Sequence, residues 1–397
     1  MVQDALTAGA GVAMIPLAAA TVFFCLQCAL GLPEPVAKAP PARRSDPLAV
    51  LIPAHNEEDT ISAVLESVRQ QLGRRDRLLV VADNCTDDTA QRAGRAGAEV
   101  LIRCDPGRRG KAYALAAGIT HLATVAPRTV IVIDADCIVA PGAIAHLAGA
   151  VEQERRPIQA RYLMLAPEQA RKQFAFAAFA FLIKNSIRPS GMGRLGLPCH
   201  LTGSGMAFPW AAIASADLVH GHLVEDMKLG LDLAQAGPGA GYCHLALITS
   251  CFPLSSHGQA SQRYRWETGR IALLRTCARL LVSPVPYRRP ALLLLILDTL
   301  IPPLTLLAAL LSLQVVMAAA LVVAGAGLWL LVGALISWLA FALAISVVWW
   351  RHGQEIVPLS LLSSLPGWAA RRLALYPSFY RGEHTSWIRT DRSAGDV

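Results

Sequence analysis

Charge is scarce in this chain. Asp, Glu, Lys and Arg make up 16% of its 397 residues, against 54% hydrophobic residues. A water-soluble protein of this length rarely has so apolar a composition, so membrane spans are expected before any motif is considered. The nine Cys residues show no disulfide or zinc-ligand rhythm, which excludes a stapled secreted scaffold and a zinc module. Cys25 and Cys28 have redox-pair spacing but fall inside an apolar run, where they read as packing residues. Aromatic residues are few (6%), and no basic binding module interleaved with aromatics occurs. The net charge of +8 therefore points to anionic lipid and anionic diphosphate, with no nucleic-acid partner. A phosphate-binding P-loop is also missing. The turn Pro106-Gly107-Arg108-Arg109-Gly110-Lys111 lacks that spacing and the following Ser or Thr.

What is present is unevenly placed. Positions 10–32 are apolar almost without interruption, with Gln27 the one strongly polar side chain, and can cross a bilayer as a helix. The leader before them carries Asp4 and no Lys or Arg, which favours a retained anchor over a cleaved signal peptide. A second apolar block covers 290–350, with breaks at Pro302-Pro303, Gln314 and 324–327. Its length permits two spans or three. Lys38, Arg43 and Arg44 follow the first run, Arg288 and Arg289 precede the second block, and Arg351, Arg371, Arg372, Arg381, Arg389 and Arg392 follow it. Basic flanks mark the cytoplasmic side. The middle and the tail are thus both expected inside a multi-pass plasma (inner) membrane protein, which favours two C-terminal spans. The expected organisation is a transmembrane helix in 1–33, a cytoplasmic domain in 34–289, spans in 290–351 and an interfacial helix with a basic tail in 352–397. Asp298, inside the second block, is expected to face protein or water. The stretches 174–183 and 359–376 read as interfacial helices, with burial in a core as the alternative for each.

Short apolar strands at 49–53, 78–82, 99–103 and 130–134 alternate with helical stretches at 58–71, 87–96 and 111–122. That alternation predicts an α/β domain with a mostly parallel sheet covered on both faces. Ligands in such sheets bind beyond the carboxyl ends of strands, where Asn56-Glu57, Asp83 and Asp134 fall. Asp134-Ala135-Asp136 at a strand end can hold a divalent metal against a diphosphate; a turn or helix cap is the plainer reading. Asn56 serves equally well as a cap for the helix that follows, and Thr86 or Asp87 as the cap of the next. Glu225-Asp226 suits a helix N-terminus as well as a reaction centre.

The ordered set Asn56-Glu57, Asp83, Gly110-Lys111 with Ala114-Leu115, Asp134-x-Asp136, Glu225-Asp226 and Gln262-x-x-Arg265-Trp266 resembles the motif series of family 2 glycosyltransferases over about 45–290. The likeness is nearest to their membrane-integrated synthases of poly-N-acetylglucosamine, cellulose, chitin oligosaccharide and hyaluronan. The resemblance implies a Rossmann-like GT-A fold that uses a UDP-sugar. Glu57 and Asp83 would hydrogen-bond the uridine, with Lys111 beside the nucleotide. Asp134 would contact the nucleotide side of the metal site, and Asp136 would ligate Mg²⁺ or Mn²⁺. Asp226, beside Glu225, would be the general base of an inverting transfer. Gln262 and Arg265 would reach the diphosphate, and Trp266 would stack on an acceptor sugar. Gly203 and Ser204 would stand near the acceptor entrance. The leading expectation is addition of a hexose or N-acetylhexosamine to a growing exopolysaccharide; the alternative is transfer of one sugar to a lipid or lipid-linked acceptor. Membrane lipid and separate export or regulatory subunits are the further partners. Val224 departs from a frequent Thr, and the 137–225 spacer resembles no known acceptor loop. The membrane portion is smaller than that of cellulose synthase, which leaves a complete polymer channel in doubt. Thr385-Ser-Trp387-Ile-Arg-Thr390-Asp-Arg392 resembles a Trp-x-x-Thr-x-Arg ending, or is a frayed basic tail.

Overall fold

The computed structural model describes residues 2–33, 46–219 and 224–376; the Trp387 motif lies outside them. Eight strands form one sheet: β1 (Leu48–Ala54), β2 (Arg77–Asp83), β3 (Glu99–Arg103), β4 (Thr129–Val132), β5 (Ile138–Val139), β6 (Ile158–Leu165), β7 (Met206–Pro209) and β8 (Gly241–Cys251). Their order is β3-β2-β1-β4-β7-β6-β8-β5. The first four are parallel, with Val50 opposite both Leu78 and Ile131. All seven residues of β1 are buried, as an unbroken apolar run covered on two faces requires. Beyond β4 the sheet becomes mixed: β7 runs antiparallel to β4 and β6, and β5 to β8, while β6 and β8 are parallel.

Two cores sandwich the sheet. On one face Ile52 packs with Leu65 and Val68 of the Ile61–Arg69 helix and with Leu147 of the Ala143–Glu154 helix. On the other, Leu51 and Val81 meet Leu115 and Leu122 of the Lys111–Leu122 helix. Burying each such side chain contributes about 1.5–3 kcal/mol. At Gly118 the helix lies so near the sheet that a Cβ would come within 2.5 Å of Leu51 Cδ1. The local caps differ from expectation. Asn56, at φ 54°, accepts the Thr86 N–H at 2.7 Å and so ties two loops together instead of capping its own helix. Asp87 does serve the next helix, accepting the Thr89 N–H and hydroxyl at 3.1 and 2.6 Å.

Among the described residues, three helices are long and apolar enough to cross a membrane: Thr7–Gly31, Leu304–Val323 and Trp329–Gly353. Pro290–Leu300, at 11 residues, is apolar but short, about half the length a bilayer core requires. The stretch expected to lie at the interface near Phe174 is instead enclosed. It forms the Arg171–Leu182 helix, whose Phe174 and Phe181 enter the sheet core while Phe176 and Phe179 pack with Phe24 and Phe341 of the long apolar helices. Apolar on every side, this helix finds protein on every side. The Leu365–Leu373 helix, by contrast, has no buried residue.

Candidate active site

The site is built where the parallel half of the sheet ends. Ile133 still donates to Leu51 O at 3.1 Å, so Asp134 is the first residue to leave the sheet. Its backbone N–H donates to Ser204 Oγ at 3.1 Å. Gly203, next to that serine, has φ +91°, a conformation L side chains rarely adopt. A Cβ there would lie 3.4 Å from Asp226 Oδ2, 3.6 Å from Asp134 Oδ2 and 3.6 Å from Lys111 Nζ. Residues from distant parts of the sequence therefore converge on one backbone turn. Lys111, at the start of its helix, pairs with Asp134, donates to Gly203 O at 2.8 Å and stands 3.9 Å from Glu225 Oε1. Burial opposes its charge, but Asp134 and Glu225 outweigh that and raise its pKa.

Glu225 opens the Glu225–Ala236 helix and Asp226 follows, its Oδ1 accepting the Met227 N–H at 2.8 Å. The helix-terminus reading thus holds, and both carboxyls also stand beside Lys111 and Gly203. Burial pushes the Glu225 carboxyl up to about 7, with Lys111 opposing and Asp226 adding to the rise. Asp226 is likewise raised by burial, against the pull of Lys111.

Asp134, Asp136 and Cys137 offer ligand atoms within 4.8 Å of one another. Cys137 is fully buried, and burial holds its thiol protonated. It donates to Asp136 Oδ1 at 3.4 Å, fixing that carboxylate and leaving oxygen donors for an ion. Two carboxylates fit a hard cation such as Mg²⁺ or Mn²⁺.

These residues line a cavity of about 950 Å³. Gln262, Arg265 and Trp266 line it too, from one face of the Ser256–Leu281 helix, with the Trp266 ring 6.1 Å from that of Phe181. Three expected residues, Asp83, Glu57 and Ser204, do not line it. Asp83 is only 4% exposed and accepts from Arg103 Nη1 at 2.5 Å and Asn84 Nδ2 at 3.0 Å. A carboxylate so enclosed requires a cation, so it lies under Arg103 instead of facing the cleft. Arg103 in turn donates to Arg108 O at 2.8 Å and sits 5.7 Å from the Tyr113 ring, both on the cavity wall. Glu57 accepts the Thr60 hydroxyl at 2.9 Å. Ser204 is fully buried, so its hydroxyl supports Asp134 from behind and does not face an acceptor.

Other cavity residues were not singled out by the sequence. A π-helical turn at Ile183–Ile187 brings Lys184 and Arg188 to the cavity. Arg188 donates to Gln27 Oε1 at 2.7 Å and to Asp298 Oδ1 at 2.5 Å, while Gln27 Nε2 donates to Asp298 Oδ1 at 2.5 Å. His200 Nε2 lies 3.4 Å from Asp298 Oδ2 and 3.2 Å from Thr299 Oγ1. Asp298 thus faces protein and cavity, as its place in an apolar run requires. The isolated Gln27 and Asp298 were visible signals; that they pair was not.

Residues 45–269 match the sequence profile described as "Glycosyltransferase like family 2". An uncharacterized glycosyltransferase of Mycobacterium tuberculosis (strain ATCC 25618 / H37Rv) is 36% identical over 120 residues, covering 28% of this chain and 50% of that protein. Glucosyl-3-phosphoglycerate synthase of Mycolicibacterium paratuberculosis is 40% identical over 86 residues, 20% of this chain and 26% of that protein. The chain spans about half the length, or less, of these curated relatives. Among solved structures, a mannosyltransferase from Pyrobaculum calidifontis in complex with GDP-Man and Mn²⁺ has a TM-score of 0.53 at 17% identity, covering 96% of this chain and 94% of that one. That likeness is one of fold.

Proposed function

We propose that this chain, which belongs to glycosyltransferase-like family 2, moves a hexose or N-acetylhexosamine from a UDP-sugar to an acceptor supplied by the bilayer. Its domain would sit at the cytoplasmic face, between one N-terminal and two C-terminal spans. The observation that carries the reading is the convergence of Lys111, Asp134 and Asp226 on Gly203, inside a cavity also lined by Phe174, Phe176, Phe181 and Leu304.

The chemistry follows from these positions. Asp134 and Asp136 would hold Mg²⁺ or Mn²⁺, which when bound offsets charge on the departing diphosphate. Lys111 and Arg265 add fixed positive charge on the same side, Arg265 with a planar group that can grip two oxygens. Asp226 takes the proton from an acceptor hydroxyl. Its raised pKa keeps it a competent base near neutral pH. One base suffices, because a single displacement inverts the anomeric centre without a covalent sugar–enzyme bond. Gln262 would orient the diphosphate and Trp266 the acceptor ring, while Asp83 would act on the nucleotide only through Arg103, which it holds beside Arg108 and Tyr113 of the cavity wall.

Sequence alone favoured repeated addition to an exopolysaccharide. The geometry favours the alternative, a lipid or lipid-linked acceptor. The cavity holding Asp226 is continuous with a wall of Phe174, Phe176, Phe181 and Leu304, where the second candidate span begins. The Gln262–Trp266 motif supports the polymer reading as the second choice. The full chain, reconstituted in nanodiscs with a total lipid extract, Mn²⁺ and labelled UDP-glucose, UDP-N-acetylglucosamine, UDP-galactose or UDP-glucuronate, separates the two. One labelled product entering the organic phase is expected. A ladder of water-soluble products would replace this reading with the polymer one.

A further inference from the structure

Away from the carboxylates the cavity changes character. Phe176 and Trp368 approach with ring centroids 5.3 Å apart, and Leu304 and Leu375 complete an apolar mouth. Four cations enter this mouth from three helices: Lys172, Arg263, Arg371 and Arg372. None of the four forms an ion pair with another described residue. The Arg372 guanidinium lies 5.9 Å over the Trp368 ring. Glu267, one turn along from Arg263, and Tyr376 act on Arg263 in the opposite sense to Arg372. Burial and the facing Arg372 still bring the Arg263 guanidinium down to about 10, so it stays charged at neutral pH. Two like charges held together in a half-enclosed apolar space are unfavourable unless an anion lies between them.

The two ends of the cavity therefore select opposite things. Asp134, Asp136, Glu225 and Asp226 crowd one end, where an acceptor must offer an uncharged hydroxyl. The mouth offers unpaired guanidinium groups beside aromatic rings. We infer that the mouth seats the headgroup of the acceptor itself, a glycosylated lipid phosphate or diphosphate. Its phosphate lies between Arg263 and Arg372, its chain lies along Phe176 and Trp368, and its sugar reaches toward Asp226. This rests on the bilayer-acceptor reading above and adds the charge and position of the headgroup. A lipid bound merely as an annular anion would meet arginines on the outer surface, whereas these share one cavity with the catalytic carboxylates.

The test uses the full chain in phosphatidylcholine nanodiscs, with binding followed by tryptophan fluorescence and native mass spectrometry. Farnesyl diphosphate is the probe, farnesol the neutral control, inorganic diphosphate the free anion and phosphatidylglycerol the bulk anionic lipid. Farnesyl diphosphate is expected to bind at least tenfold tighter than farnesol or inorganic diphosphate and to resist phosphatidylglycerol. Arg263→Gln or Arg372→Gln should each weaken it by about tenfold to a hundredfold, the usual worth of a charge-assisted contact. Arg372→Lys should retain most of the affinity, which a folding defect would not do. Equal binding of farnesol, equal binding of inorganic diphosphate, full displacement by phosphatidylglycerol, or indifference to both Gln variants would each overturn the inference. The underlying reading fails separately: labelled sugar never enters the lipid fraction even though the probe binds in an Arg-dependent way.

Discussion

Replacing Arg188 by methionine removes the cation that joins the first apolar helix, the catalytic domain and the Pro290–Leu300 helix. Arg188 Nη2 is 2.5 Å from Asp298 Oδ1, and its Nε donates to Gln27 at 2.7 Å. Breaking a buried pair by deleting one partner costs about 3–5 kcal/mol, because the remaining charge is left uncompensated. The two side chains are 13% and 18% exposed, and Gln27 and His200 still touch Asp298, so the low end, about 3 kcal/mol, applies. With an unfolding entropy of about 2.1 cal/mol/K per residue, that loss lowers the melting temperature of a chain this long by about 4 °C. The triple variant Gln27→Leu, Arg188→Met, Asp298→Leu deletes all three polar groups together and should recover most of the loss, since no orphaned charge remains. Thermal unfolding in detergent micelles, followed by intrinsic fluorescence, measures both. Equal destabilisation of the single and triple variants would refute the reasoning, because the cost would then lie in packing and not in an unpaired carboxylate.

The acidic limb of kcat/KM should lie above the usual carboxylate range, because burial raises both Asp226 and its neighbour Glu225 and activity is lost as Asp226 takes up a proton. In Glu225→Gln the limb should move to lower pH, because Lys111 then favours the Asp226 carboxylate alone; an unmoved limb in a pH–rate profile contradicts this. Gly203→Ala forces a side chain onto φ +91°, which should cost about 1–3 kcal/mol in denaturant titrations. It should also lower turnover, since the Gly203 carbonyl anchors Lys111; wild-type stability would count against the described turn. Chelation should abolish transfer and Mn²⁺ or Mg²⁺ restore it, with Asp136→Asn shifting the activating Mn²⁺ concentration upward by on the order of tenfold or more. An unchanged Mn²⁺ titration would remove Asp136 from the metal site.

The parallel half of the sheet was legible because a strand buried on two faces must be apolar throughout. The strands over 48–54 and 77–83 therefore stand where the runs predicted them; the 99–103 strand, at the sheet edge and without a buried residue, and the 111–122 helix do so too. Strands β5 to β8 were not foreseen. β5 is two residues long, and β8 alternates half-buried and buried positions around a register shift opposite Ala160 and Arg161. The acids at strand ends could be read because topology dictates where a parallel sheet binds ligands. Their partners could not: Arg103 over Asp83, Ser204 behind Asp134 and Arg188 against Asp298 depend on how distant segments meet. The Phe174 stretch misled for a related reason. A helix apolar all round suits a membrane surface or a protein core equally, and only the packing of Phe176 and Phe179 against the long apolar helices settles which.

The central claim is tested most directly by comparing Asp226→Asn with the wild type for both UDP binding and sugar transfer in the presence of Mn²⁺. On the proposal that Asp226 serves the acceptor and not the nucleotide, the variant should keep a Kd for UDP within a few-fold of wild type. It should lose transfer by on the order of a hundredfold or more, the usual worth of a positioned base. Transfer at the wild-type rate would contradict the account.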